Sequence, residues 1–219
     1  MSTYLITGAN RGIGFELSRL LCERGEQVIA VCRKPSKALF DLEVEIIADV
    51  DVAEPLSISE LAQELKGRAL DVLINNAGIL SDETLGDLNL QRIQRQFEVN
   101  ALGPLMVSSA LLPNLSGGGK LVIVSSRMGS IEDNGSGGMY GYRMSKAAVN
   151  MVGKSLAEDL RSRGIAVRLL HPGMVATDMT DHEGIPPESA ARGLIARIDE
   201  LDINSTGQFW HANGERLPW

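Results

Sequence analysis

Cysteine and histidine are scarce in this chain, with two of the former and three of the latter among 219 residues. Cys22 and Cys32 form no C-x-x-C pair, which argues against a disulfide-stapled scaffold or a cysteine-ligated zinc site and makes a reducing cytoplasm the expected location. His182 and His211 lack any His, Cys or carboxylate at metal-ligand spacing, so no metal is expected; His171 reads as a packed residue in its His-Pro-Gly context. A surplus of basic residues is missing too. The net charge of −7 argues against a nucleic-acid or anionic-membrane partner, because nothing is left over to neutralise phosphates. No run approaches the roughly 18 apolar residues of a membrane helix. Met1–Thr7 runs into a strand-like pattern rather than an export signal. The absence of G-x-S-x-G, H-E-x-x-H and Walker motifs removes the parts that hydrolases and NTPases need.

What remains is a chain that is 44% hydrophobic and 22% charged, sufficient for one well-buried domain spanning residues 1–219. Short apolar runs alternate with longer segments of helical period, the pattern of a parallel sheet covered by helices. Strands are expected at Tyr4–Thr7, Gln27–Cys32, Val44–Ala48, Asp71–Asn75, Lys120–Ser125, Ile165–His171 and Gly207–Trp210. Helices are expected at Gly12–Arg24, Pro55–Lys66, Leu88–Leu112, Tyr140–Arg163 and Pro187–Asp199. Gly25 and Gly164 suit left-handed helix caps, and the loops Leu80–Leu88 and Gly129–Gly138 are expected to border the site. Met139, Met144 and Met151 read as core filler.

The first strand leads into Gly8-Ala9-Asn10-Arg11-Gly12-Ile13-Gly14 and then a helix. Glycines at such a turn let backbone N–H groups approach a pyrophosphate at the positive end of the helix, although some glycine turns are purely structural. G-x-G-x-x-G fails here, because Leu17 stands at its last glycine; T-G-x-x-x-G-x-G stands instead. The end of the second strand, where a ribose-binding acid sits in NAD-binding folds, carries Cys32 followed by Arg33. A neutral residue there, with Arg33 and Arg11 on the flanking loops, favours a 2′-phosphate and hence NADP; the alternative is two solvated surface arginines.

Tyr142 and Lys146 are four positions apart on a helical pattern, which places their side chains on one face. A free tyrosine, with a pKa of roughly 10, is a poor acid–base group near neutrality. A nearby ammonium favours the phenolate, so the expectation is a lowered phenol pKa and proton exchange with a carbonyl or alcohol oxygen. The pair could equally be an ordinary surface contact. Tyr140 is excluded because Met144, not lysine, follows it at the same spacing. Ser125 and Ser126 close the fifth strand, where a hydroxyl either caps the strand end or holds a substrate oxygen.

Taken together, T-G-A-N-R-G-I-G, Asn75-Asn76-Ala77-Gly78, Asn100, Ser126, Tyr142/Lys146 and His171-Pro172-Gly173 resemble, in order, the short-chain dehydrogenase/reductase family from about Thr3 to Thr180. The resemblance implies a single-domain, Rossmann-type, doubly wound parallel α/β sheet of about seven strands in order 3-2-1-4-5-6-7, with helices on both faces. It implies Tyr142 as acid/base, Lys146 as ribose anchor and activator, Ser126 (or Ser125) as substrate holder, and Asn100 as keeper of a relay water. Cofactor contacts are implied for Gly8, Asn10, Arg11, Gly12, Ile13, Gly14, Arg33, Asp49, Val50, Asn76, Ala77, Gly78, Pro172, Gly173, Val175 and Thr177. Asn76 and Gly78 would lie on the adenosine side, with Asp49 and Val50 beside the adenine.

Tyr142–Met151 and the Leu217-Pro218-Trp219 ending are similar to the C-factor/sniffer carbonyl-reductase group. The implied function is NADPH-dependent reduction of an aldehyde, ketone or quinone. A nucleotide sensor or signalling protein with little turnover is the alternative, and homodimers or homotetramers are common in the family. Tyr142 follows Ser126 by sixteen positions, a few more than usual, with the excess in the Gly-rich Ile131–Gly138 loop. The stretch after Thr177 is short, which implies a reduced lid and an open site.

Overall fold

Residues of alternate parity along each strand feed two separate cores, and this sorting builds the molecule. In the computed structural model, which describes residues 1–219, the elements run β1 (Thr3–Thr7), α1 (Gly12–Glu23), β2 (Gln27–Val31), α2 (Lys37–Phe40), β3 (Glu45–Ile47), α3 (Pro55–Glu64) and β4 (Leu70–Asn75). They continue with α4 (Leu90–Phe97), a π turn (Glu98–Leu102), α5 (Gly103–Leu111), β5 (Leu115–Val124), α6 (Tyr140–Leu160), β6 (Ala166–His171), α7 (Pro187–Asp199) and β7 (Gln208–His211). The seven strands form one parallel sheet in the order β3-β2-β1-β4-β5-β6-β7. Leu5, Ile29, Leu73, Leu121, Ile123, Val167 and Leu169 pack against the α3, α5 and α6 side. Ile6, Val28, Ala30, Val72, Ile74, Val122 and Leu170 pack against α1 and α7 on the other. Strands buried on both faces have no polar alternation, which is why the sequence runs are continuously apolar.

The expected elements are all present, with shifted edges. The third strand is shorter than Val44–Ala48, and the fifth begins earlier than Lys120, with an irregular register against β4. The expected Leu88–Leu112 helix is broken at Glu98–Leu102, where the π turn underwinds and widens the helix and Val99, Asn100 and Ala101 are buried. Gly25 and Gly164 take the left-handed φ of 84° and 71° expected of caps. The methionine reading is corrected in part: Met144 and Met151 are exposed on α6, because its inner face is already filled by Tyr142, Ser145, Lys146, Val149 and Asn150. No helix is long and apolar enough to cross a membrane.

Strand order reverses between β1 and β4, which opens a crevice beyond their carboxyl ends. Polar bonds hold its two lips together. Asn76 N–H and Ala77 N–H donate to Thr7 Oγ1 (3.0 and 3.1 Å), and Asn76 Nδ2 donates to the carbonyls of Thr7 and Gly8 (3.0 and 3.3 Å). Leu73 lies beside this staple, fully buried at the centre of the sheet. Leu73→Ala should therefore lower the unfolding free energy by about 2–5 kcal/mol, through lost transfer energy and the cavity left behind. Urea denaturation of the two proteins would measure it.

Candidate active site

A cleft of about 590 Å³ follows the crevice from the glycine turn to the start of α6. At one end lie Gly8, Asn10, Arg11, Gly12, Ile13 and Gly14; at the other lie Ser125, Tyr142 and Lys146. Cys32, Arg33, Val50, Asn76, Ala77, Gly78, Pro172 and Thr177 line the middle. The glycine turn works by close approach. A Cβ on Gly14 would stand 2.2 Å from the Gly8 carbonyl oxygen and 2.5 Å from Asn76 Nδ2. Gly12 is left-handed, with φ at 54°, and faces Thr177. No side chain caps the N-terminus of α1, so its first N–H groups point into the cleft without an internal acceptor. This cradle suits a dinucleotide pyrophosphate.

The arginines do not form the bare clamp that their place on the flanking loops suggested. Arg11 is ion-paired with Asp178 across the cleft, and Arg33 lies 3.9 Å from Asp51. Asp51 also accepts from Arg95 at 2.7 Å, and Arg95 reaches Glu98 at 3.3 Å. The cleft is thus rimmed by three guanidiniums, each held by a carboxylate. Arg33 and Arg11 are well exposed, so these pairs are weak and an incoming phosphate can compete for them. Cys32 is buried behind Arg33, and burial pushes its thiol pKa up.

Tyr142 and Lys146 are both buried, at 8% and 5% exposure, and sit on the inner face of α6 as the spacing required. Lys146 Nζ donates to the Val124 carbonyl at 3.0 Å and lies 5.7 Å from the centre of the Tyr142 ring. The expected lowering of the phenol pKa is overturned for the chain by itself. Burial pushes Tyr142 up, with the Ser126 hydroxyl opposing the shift, and burial brings Lys146 down from 10.5 to about 8. Desolvation wins because it acts on both groups, while the ammonium spends its hydrogen bond on a backbone carbonyl.

The two serines part company here. Ser125 Oγ donates to Asn150 Oδ1 at 2.6 Å, whereas Ser126 faces the phenol and accepts from Met128 N–H at 3.2 Å. Asn100 is 1% exposed. Its Nδ2 donates to the Ile79 carbonyl (2.8 Å) and Ser145 Oγ (3.0 Å), and its Oδ1 accepts from Ile79 N–H (2.8 Å). The side chain is therefore a strut between the segment after β4 and α6. Gly78 lies beside both, and a Cβ there would make ordinary contacts of 3.4 Å with Asn100 Oδ1 and 3.8 Å with Lys146 Nζ.

Three of the positions implied for the cofactor do not line the cleft. Asp49 is exposed outside it, and Gly173 and Val175 are not part of its wall, although Pro172 and Thr177 are. Asp49 adopts φ of 60° as the chain turns out of β3, which directs Val50, not Asp49, inward. Asn76 contributes to the wall, but its amide is consumed by the Thr7–Gly8 turn. Conversely, Asp51, Val52, Ile79, Arg95, Val99, Asp178 and Met179 line the cleft without having been singled out. Arg95 and Val99 carried one usable sign, their helical spacing just ahead of Asn100. His171 is packed as expected: burial, with His211 stacked edge-on at 4.8 Å, brings its pKa down to about 3.

Residues 2–186 match the family model of the short chain dehydrogenases. A 1-hydroxy-2-glutathionyl-2-methyl-3-butene dehydrogenase from a Rhodococcus species is 46% identical over the full length of both chains. The C-signal protein of Myxococcus xanthus is 46% identical over 68% of this chain and 93% of its own. Among solved structures, the NADPH-bound carbonyl reductase from chicken fatty liver superposes with a TM-score of 0.91 at 30% identity, covering 100% of this chain and 99% of the other. With its sheet order, its cleft at the strand reversal and these matches, the chain belongs to the short-chain dehydrogenase/reductase family of oxidoreductases.

Proposed function

We propose that this protein is a cytoplasmic, NADPH-dependent carbonyl reductase in which Tyr142 donates the proton and Ser126 holds the substrate oxygen. The observation that carries the reading is one continuous cleft, with a buried Tyr142–Lys146 pair at one end and an uncapped helix flanked by Arg11 and Arg33 at the other. Neutral Cys32 at the end of β2 and two arginines nearby favour a cofactor bearing a 2′-phosphate, and the chicken relative is NADPH-bound. The nicotinamide, when bound, supplies the hydride. The chain does the proton chemistry. Ser126 orients the carbonyl oxygen toward the phenol, and Tyr142, kept protonated by burial, is a donor at neutral pH. Lys146, protonated below about pH 8, stabilises the phenolate that remains. Asn100 ties α6 to the segment after β4, so that the helix carrying Tyr142 and Lys146 keeps its place beside the cleft.

Exposed Leu85 and Ile131 come from the two loops expected to border the site, and exposed Met174 and Ile185 lie on the segment after β6, which favours bulky apolar aldehydes, ketones or quinones. The Rhodococcus relative is named for a glutathionyl alcohol, so glutathione conjugates belong in the same panel. Exposed Leu90, Phe97 and Leu102 beside Met144 and Met151 favour a homodimer or homotetramer joined through α4, α5 and α6. The likeness to C-signal supports a second reading, a signalling protein that binds NADPH with little turnover. Total inactivity on the panel, together with tight NADPH binding, would favour that second reading.

Three outcomes are expected. Tyr142→Phe should lower kcat by about 10²–10⁴-fold while leaving NADPH binding intact, measured by NADPH absorbance and fluorescence titration; undiminished turnover would remove Tyr142 from the mechanism. Arg33→Ala should reduce the NADPH-over-NADH preference in kcat/KM by about 10- to 100-fold, the scale of a hydrogen bond to a charged group. The third concerns pH. Between about pH 8 and 10.5 the unfolded chain keeps a proton on Lys146 that the folded chain has released, so stability rises with pH across this window. Lys146→Gln should flatten that rise in urea denaturation of the cofactor-free protein.

A further inference from the structure

The thirteen positions from Ser126 to Gly138 join two parts of the catalytic centre through a loop that contains four glycines. Such a loop is costly to order, and the strain falls just past its end: Gly137 and Gly138 take left-handed φ of 64° and 65° freely, but Met139 is held left-handed too, at 48°. Ser126 sits at one end and Tyr142 just past the other, so what holds the loop adds to the Lys146–Val124 bond in fixing their separation. On its inner side Gly129 is pressed onto Lys146, where an added Cβ would meet the Lys146 backbone at 2.6 Å. On its outer side it is gripped by Trp219. The main-chain oxygen of Trp219 accepts from Ile131 N–H, Glu132 N–H and Ser130 Oγ, all at 3.1 Å. Two successive N–H groups converging on one oxygen form a nest, a geometry that favours an electron-rich acceptor.

Trp219 is itself anchored to the sheet. Its ring stacks on buried Phe209 of β7 at 5.7 Å and 24°, and Leu217 N–H donates to the Phe209 carbonyl at 2.8 Å. Arg127, next to Ser126, adds an ion pair to Glu215 of the same tail. Sheet, tail, loop and Lys146 thus form one continuous stack.

We propose that Trp219 is a positioning residue: anchored on Phe209, it clamps the 130–132 segment against Lys146 and thereby sets Ser126 relative to Tyr142. This rests on the reading of Ser126 and Tyr142 as the reacting pair, and it assigns the tail a role that neither of those residues requires. Glu132 reports on the clamp directly, because it lies in the gripped segment and is exposed to a glutamate-specific protease.

The experiment compares wild type, Trp219→Ala and Trp219→Phe in three measurements: Glu132 cleavage rate, kcat and KM on menadione or 4-nitrobenzaldehyde, and NADPH affinity by fluorescence. In Trp219→Ala, cleavage should accelerate and kcat should fall, each by about tenfold, with NADPH affinity and the circular dichroism spectrum unchanged. Trp219→Phe, which keeps the stack and the main-chain oxygen, should restore both. Wild-type cleavage and kcat in Trp219→Ala would overturn the proposal. Faster cleavage with unchanged kcat would overturn it too, by showing a clamp that positions nothing. A loss of kcat in step with NADPH affinity would mean general damage and would likewise overturn it. If Tyr142→Phe kept its turnover, the assignment of the reacting pair would fall instead, a result visible independently of Trp219.

Discussion

The hydrogen bond from Lys146 Nζ to the Val124 carbonyl is the contact on which the site depends. It ties the inner face of α6 to the carboxyl end of β5, so the helix that carries Tyr142 is fixed to the strand that delivers Ser125 and Ser126. The bond forms in a place from which water is largely removed, and that desolvation sets both protonation states: the phenol is held protonated and the ammonium is eased toward neutrality. Asn100 reinforces the same junction from the other side through Ile79 and Ser145. The π turn that buries Asn100 is the local distortion that permits it, in keeping with the tendency of such turns to fall at functional sites.

At the opposite end of the cleft the physics is different. The arginines there are partly exposed and each already has a carboxylate, Asp178 for Arg11 and Asp51 for Arg33 and Arg95. Solvent screening makes these pairs weak, so they orient the guanidiniums without committing them. A rigid, dry reaction end and a wet, exchangeable recognition end are joined by the staple of Thr7 and Asn76. On the proposed function, charge would select the cofactor at one end and proton transfer would take place in a low dielectric at the other.

Much of this was legible in the residues. Continuous apolar runs gave away strands buried on both faces, and glycine placement marked the turn beyond β1 and the helix caps at Gly25 and Gly164. The four-residue interval from Tyr142 to Lys146 put both on one helical face. What failed to show has particular reasons. The break in the Leu88–Leu112 helix was invisible because Glu98–Leu102 keeps helical residue types; only packing underwinds it into a π turn. The family resemblance put Asp49 beside the adenine with Val50, yet Asp49 has a left-handed backbone and is exposed, and of the two only Val50 lines the cleft. Arg95 reached the cleft through the pairing of its guanidinium with Asp51, forty-four positions away, a contact with no local trace.

The sequence by itself determined the alternation of elements, the glycine cradle and the residue types that meet in the cleft, because these follow from periodicity and backbone freedom within a few residues. The tertiary structure alone decided the sign of the Tyr142 shift, the separate fates of Ser125 and Ser126, and the seating of Trp219 against the loop that precedes Tyr142. Each of those depends on burial or on partners distant in the chain. Desolvation and long-range contact exist only once the sheet, its covering helices and the returning tail have closed around them.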